Sequence, residues 1–273
     1  MITIVTVSLN DLAGIKETFR SLRQQTFRNV QHVIIDGAST DGTAAWAREN
    51  VVFDDTVVLS EPDEGIYQAM NKGLGLARGE LVCFLNSGDR FADRDVLGVV
   101  VNSYEHESWP WAYGFGRMVT ASGRTSAGGR VRKRHSWLRQ TFWSYEICHQ
   151  TVFMPPALAR KLGGFDEEFR IAADYKLVTN AGRIAEPHVF PRVMAVTMEG
   201  GVSSMRTVES LHETHRARSE ILALTGWRKG ADRCLTTVLI ARSRSRRFVG
   251  RLLRRWGVDL GGPSKFVARA ARR

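Results

Sequence analysis

A chain of 273 residues with 43% hydrophobic side chains holds enough apolar material for one large core, which excludes disorder as its default state. Its three cysteines, Cys83, Cys148 and Cys234, are too few and scattered for a disulfide framework and contain no Cys-x-x-Cys pair for structural zinc, so a reducing compartment fits best. The net charge of +11 invites a nucleic-acid reading, but residues 232 to 273 carry 12 Lys or Arg against 2 Asp or Glu, which leaves the first 231 residues at only +1.

The chain opens on MITIVTVSLN, which has neither the basic nor the apolar region of a secretion signal, and no apolar run reaches the roughly 18 residues that spanning a bilayer requires, so neither secretion nor membrane spanning is expected. Residues 2 to 8 form a β-branched run that predicts a strand, and Asn10 and Asp11 can cap a helix whose Ile15, Phe19 and Leu22 share a face. The pattern recurs with a strand at 32 to 37, a helix at 43 to 50 and a strand at 56 to 60. A helix over 65 to 78 then precedes the continuous apolar strand ELVCFLN at 80 to 86. Strands alternating with helices predict an α/β fold, a mostly parallel sheet covered on both faces.

Beyond Asp89 the pattern is mixed: a helix from Asp93 to about residue 106, a strand at 111 to 121, a mobile Gly-rich basic hairpin or loop at 123 to 135, a helix at 172 to 180, a strand at 188 to 198, and a helix over 206 to 225.

Ligands of an open parallel sheet bind beyond the carboxyl ends of its strands, and polar clusters follow three predicted strands: DGASTDGT at 36 to 43, EPDEG at 61 to 65 and NSGD at 86 to 89. Asp36 ends a strand, where it can accept from a ribose hydroxyl or a base N–H, or simply make an Asx turn. Asp41, in Asp-Gly-Thr before a helix, reads first as an N-cap and second as a ligand contact. Asp89 can bind Mg²⁺ or Mn²⁺ beside a diphosphate, or close a turn. The glycines of GLGLARG at 73 to 79 do not follow G-x-G-x-x-G and close a helix rather than open one, and no G-x-x-x-x-G-K-[ST] loop exists.

Together, DEGIYQAMNKGLGLARGELVCFLNSGD at 63 to 89 and DGASTDGT resemble glycosyltransferase family 2, in an ordered series covering roughly residues 2 to 204. The flavour is that of bacterial exopolysaccharide, colanic acid and envelope glycolipid transferases. The resemblance implies a GT-A fold, a nucleotide-sugar donor, a divalent metal (Mn²⁺ or Mg²⁺), and inversion at the anomeric carbon. It places Asp36, Ser39 and Asp41 at the nucleoside end, Asp63 beside the donor, and Asn86 with the metal carboxylate Asp89. Two departures stand out: many relatives have DDGS where this chain has Asp36-Gly37-Ala38-Ser39, and many have DADD or DSDD in place of Asn86-Ser87-Gly88-Asp89.

FDEEFRIAADYKL at 165 to 177 looks like the family segment that carries the catalytic base, which puts that role on Asp174. Its apolar neighbours predict partial burial and a raised pKa, whereas Asp166, Glu167 and Glu168 read as a solvated acidic turn. His149 and Gln150, in ICHQ, resemble a motif near the acceptor and the donor sugar; a packed histidine is the plainer alternative. Gly201, in GGVSS at 200 to 204, belongs to a loop that covers the diphosphate in relatives.

From Leu235 to Trp256, apolar residues recur at helical spacing among arginines, a basic amphipathic pattern suited to an anionic membrane surface. A solvated helix packed on the body is the competing reading, and nucleic-acid binding is not expected. The chain thus divides into a transferase domain at 1 to 204, with a nucleotide-sugar half to about residue 90 and an acceptor half beyond it, and C-terminal helices with a basic tail at 205 to 273. A cytoplasmic enzyme at the inner membrane face, acting on a lipid-linked or polysaccharide acceptor, is expected. The competitors are a catalytically silent nucleotide-sugar or glycan binder and, as a further alternative, nucleic-acid binding through the basic tail.

Overall fold

The computed structural model describes residues 1–120, 125–127, 135–143, 147–198 and 207–255, with side chains only to Ala241 in the last helix. Four parallel strands, β1 (Ile2–Ser8), β2 (Val30–Asp36), β3 (Asp55–Ser60) and β4 (Leu81–Phe84), form a sheet in the order β3-β2-β1-β4. Every residue of β1 and β2 is buried, as expected where helices cover both faces.

Side-chain alternation along β2 sorts the covering helices. Ile34 packs with Ile15 and Phe19 of α1 (Leu12–Arg23) and Ala47 of α2 (Thr43–Glu49). Val33 and Ile35 point the other way, to Tyr67, Met70 and Leu74 of α3 (Ile66–Leu76). Gly73 lets α3 lie close on β1, since a Cβ there would stand 2.3 Å from Val5 Cγ1.

The second sheet is mixed, in the order β5-β9-β6-β7, from β5 (Arg90–Phe91), β6 (Ala112–Val119), β7 (Thr125–Ala127) and β9 (His188–Met198). β6 and β9 run parallel, and β8 (Val152–Phe153) pairs with β6 on the side. An antiparallel bridge from Val82 to Met154 joins this sheet to β4, so the residues after Cys148 are laid against the edge of the parallel sheet. Strand β7 supplies the return arm of the expected hairpin at 123 to 135; much of that segment lies outside the described residues.

The remaining helices are α4 (Val96–Glu107), α5 (Trp137–Trp143), α6 (Pro156–Lys161), α7 (Ala173–Ile184), α8 (Thr207–Ile221) and α9 (Gly226–Arg255). The helix expected at 206 to 225 ends at Ile221, and α9 starts at Gly226, nine residues before the amphipathic pattern expected from Leu235. A buried ion pair joins the two: Arg218 Nε donates to Asp232 Oδ1 at 2.9 Å, with the Arg218 and Asp232 side chains 1% and 3% exposed. Among the described residues, no helix is long and apolar enough to cross a membrane.

Candidate active site

The carboxyl ends of β2, β1 and β4 form one polar ridge. At the end of β2, Asp36 is fully buried; its Oδ2 accepts from Ser39 N at 2.9 Å and from Ser60 Oγ at 2.6 Å, while its buried Oδ1 has no partner. A buried acceptor without a donor is uncommon and marks a place for one. Ala38 adopts φ +60°, the left-handed conformation that suits the glycine of the common family pattern. A side chain at Gly37 would meet Asp63 Oδ2 at 2.8 Å, so Asp63 occupies the space left by the missing second aspartate. Asp63 Oδ1 accepts from Gly65 N at 3.1 Å. Ser39 Oγ accepts from Asn10 N at 2.7 Å, which ties this cluster to the end of β1.

Asp41 is engaged elsewhere. Its Oδ2 accepts from Leu12 N at 3.0 Å and its Oδ1 from Thr43 N at 3.0 Å, so it caps α1 and α2 together. The Thr43 hydroxyl bond holds its exposed carboxyl below the ordinary range.

At the end of β4, Ser87 Oγ donates to Asp11 Oδ2 at 2.7 Å, and Gly88 takes φ +85° to turn the chain back. Asp89 is 8% exposed, and its Oδ2 accepts from Gln150 Nε2 at 2.6 Å. Burial pushes its pKa up to about 6, against the lowering effects of the Gln150 bond and of His149, with Asp11 adding repulsion. Thr18 Oγ1, from α1, anchors the same turn through Asp89 O at 2.8 Å.

A turn of 3-10 helix, His149–Thr151, brings in the residues beyond β7. His149 Nε2 lies 3.2 Å from Asn86 Nδ2 and its Nδ1 lies 3.0 Å from Asp174 Oδ2. Asp174 occupies the first turn of α7, where its Oδ1 accepts from Tyr175 N at 2.8 Å and from Tyr67 OH at 3.2 Å. The raised pKa expected for Asp174 is not found. Burial does raise it, but the hydrogen bond and charge of His149 outweigh burial and bring it below the ordinary value. For His149, burial opposes the charged form, yet the bond and charge of Asp174, with Asp89 behind it, lift its pKa overall.

The acidic turn before α7 is occupied structurally: Asp166 pairs with Lys176 at 2.6 Å, Glu167 accepts from Asn71 at 2.7 Å, and Glu168 pairs with Arg216. Asn86, Asp89, His149, Gln150 and Asp174 thus lie together, with Asp89 N donating to Asn86 O at 3.0 Å, and the end of β1 borders both groups: Asn10 N bonds Ser39 and the adjacent Asp11 bonds Ser87. Gly201 lies outside the described residues.

Sequence reasoning missed two members. Asp11 reads as a helix cap, which it is, through Gly14 N at 3.0 Å, but its second oxygen holds the β4 turn. Tyr67 lies 107 residues from Asp174, and only its place within the GIYQAMNKG run hinted at a role. Burial first, then the charge of Asp174, raises its pKa far above the ordinary value, so it remains a donor.

A divalent cation fits this donor set in one way. Among the described residues no three or more metal-ligating side chains stand together. One carboxylate at Asp89 and the buried, unpartnered Asn86 Oδ1 suit a hard cation that takes its other ligands from a diphosphate and water.

Residues 3–150 match the model of glycosyl transferase family 2. The chain is 33% identical over 211 residues to an uncharacterized glycosyltransferase of Mycobacterium tuberculosis, covering 75% of this chain and 78% of that one. It is 28% identical over 215 residues to a PGL/p-HBAD biosynthesis glycosyltransferase of Mycobacterium bovis, covering 75% and 79%. Among solved structures, S. aureus TarS 1-349 in complex with UDP-GlcNAc aligns with TM-score 0.66 at 18% identity, over 89% of this chain and 72% of that one. A Pyrobaculum calidifontis mannosyltransferase in complex with GDP-Man and Mn²⁺ aligns with TM-score 0.58 at 16% identity, over 90% and 80%. At these identities the structural likenesses speak to the fold.

Proposed function

The chain belongs to glycosyl transferase family 2, as a glycosyltransferase of GT-A fold, and on that premise we propose that it transfers a sugar with inversion from a nucleoside-diphosphate sugar to a hydroxyl of an envelope glycolipid or polysaccharide precursor. The observation that carries this reading is that two consecutive residues hold the two carboxylates: Gln150 bonds Asp89, at the end of the parallel sheet, and His149 bonds Asp174.

The unpartnered Oδ1 of Asp36 supports a base N–H or ribose contact at the nucleoside end, with Ser39 and Asp63 beside it. A metal is supported by the Mn²⁺ of the P. calidifontis enzyme and by the donor set here. Asp89, aided by Asn86, would hold it, and when bound it would offset the charge that builds on the departing diphosphate. Asp174 takes the proton of the acceptor hydroxyl as that oxygen attacks the anomeric carbon from the face opposite the diphosphate. One displacement inverts the centre. Tyr67 and His149 hold the carboxylate of Asp174 in place, and Gln150 orients that of Asp89. The division at residue 204, with its two halves, is part of this proposal.

The same His149 contact favours a second reading, in which Asp174 orients His149 and the imidazole is the base. Replacing His149 would then cost as much as replacing Asp174.

The acceptor class draws support from the PGL/p-HBAD biosynthesis relative and from α9. On α9, Trp227 (80% exposed), Ala231, Cys234, Val238 (63% exposed) and Ala241 fall on one outward stripe, while Asp232 and Thr236 face Arg218. An apolar stripe turned away from the body, in the most basic part of the chain, fits an anionic lipid surface at the cytoplasmic face.

Thermal melts with UDP, GDP and dTDP, each with and without Mn²⁺, test the donor site. A metal-dependent rise with one nucleotide is expected. No response to any would favour a silent binder.

A further inference from the structure

Helix α8 presents Glu213 to the stretch of chain that leads into α7. Arg170 N donates to its Oε1 at 3.0 Å, and Ile171 N and Ala172 N donate to its Oε2 at 2.8 and 2.9 Å. Ala172 caps α7 but has no side-chain oxygen to cap with, so three consecutive peptide N–H groups converge on one carboxylate supplied from another helix. One turn along α8, Ala217 is fully buried in the cluster that holds Phe169, Ala172 and Ala173, which seats the glutamate by packing. Arg216 adds a second clasp through Glu168 and the Phe169 ring, 4.5 Å from its guanidinium.

We infer that Glu213 is a positioning residue for Asp174: by fixing the peptides of residues 170 to 172 it sets the direction in which the Asp174 carboxylate leaves the first turn of α7. The matched family region ends at residue 150, so α8 lies outside the part by which the family is recognised. The inference rests on Asp174 as the base. A proton acceptor works only when its oxygen is aligned with the attacking hydroxyl, and a shift of about 1 Å from a distant change costs on the order of 100-fold in rate. The donor contacts at Asp36, Asp63 and Asp89 arise from other elements, so loss of the Glu213 anchor should leave donor binding intact.

The test is hydrolysis of a nucleotide-sugar with water as acceptor, using whichever of UDP-GlcNAc, UDP-glucose or GDP-mannose the wild type cleaves. Four variants are compared: Glu213→Gln, which keeps the side-chain shape; Arg183→Met, which loosens the far end of the α7 and α8 contact at Ile221 O (3.1 Å); Asp174→Asn; and the Asp174→Asn, Glu213→Gln double. Glu213→Gln is expected to lower kcat by about 10- to 100-fold with donor KM within about twofold. Arg183→Met should leave kcat alone, and Glu213→Gln should add nothing to Asp174→Asn, because residues acting through one group are not additive. Unchanged kcat in Glu213→Gln, an equal loss in Arg183→Met, or an equal further loss in the double variant would each overturn the inference alone. Wild-type turnover in Asp174→Asn would overturn the base assignment and this inference with it.

Discussion

The Nδ1 atom of His149 stands 3.0 Å from Oδ2 of Asp174, and with Asp174 proposed as the base this contact would set the pH at which it accepts a proton. The pair raises the pKa of His149 above its ordinary 6.5 and lowers that of Asp174 below its ordinary 3.8. As pH rises through the raised value, the imidazolium loses its charge and the carboxylate regains proton affinity. The kcat profile is therefore expected to climb through an apparent pKa above 6.5, belonging to the pair as a unit. His149→Gln should lose that limb and retain turnover. A collapse as deep as that of Asp174→Asn would move the base to His149.

The same pair has a stability signature. The raised His149 contributes fully below pH 6.5 and loses its contribution as pH climbs through its folded value; the depressed Asp174 contributes above 3.8 and loses it on acidification. The cost of His149→Gln in denaturant melts should therefore be largest between those two values.

Asp89 behaves oppositely. Its pKa rises from 3.8 to about 6, so the folded state holds that proton more tightly than the unfolded chain. Its contribution is most favourable below 3.8, declines as pH rises towards 6, and above that is a penalty of about 3 kcal/mol in the metal-free protein. Asp89→Asn should stabilise the protein by up to that order near neutral pH and have little effect near about pH 4, while abolishing any Mn²⁺-dependent gain from nucleotide. Melts at the two pH values check both.

The Arg218 and Asp232 side chains are 1% and 3% exposed, and Arg218 Nη1 has no partner, so removing the aspartate strands a buried charge. Asp232→Ala is expected to cost about 3–5 kcal/mol and to release α9 to protease before the body unfolds. Limited proteolysis with mass analysis reads this directly.

Trp227 and Val238 lead the outward stripe of α9, at 80% and 63% exposure. Trp227→Glu and Val238→Asp should each reduce co-sedimentation with phosphatidylglycerol vesicles and leave donor hydrolysis unchanged. Binding by the wild type should weaken as salt is raised, since charge attraction is screened. Equal retention by wild type and both variants would remove the stripe from the contact.

The parallel half was legible because β1, β2 and β4 are buried along their whole length. Apolar runs placed β1 at residues 2–8 and β3 and β4 within two residues of their ends, and facing residues placed α1 and α3. Helices α5 and α6 and the turn at His149 gave no comparable signal: each is short, and its place is set by distant contacts. Asp89 was selected by its position after a strand, but its Gln150 partner lies 61 residues away, a separation that no local spacing encodes. The same applies to the Asp174 pKa, whose direction depends on a histidine 25 residues earlier. Burial was readable from the flanking alanines; the partner was not.

Asp174→Asn tests the central claim most directly. Release of nucleoside diphosphate and transfer to acceptor are measured with the donor that the melts identify, with Mn²⁺ present. A loss of about 100- to 10,000-fold in kcat with donor affinity unchanged is expected for removal of a general base. Turnover within a few-fold of wild type would contradict the account and leave Asp174 a structural partner of His149.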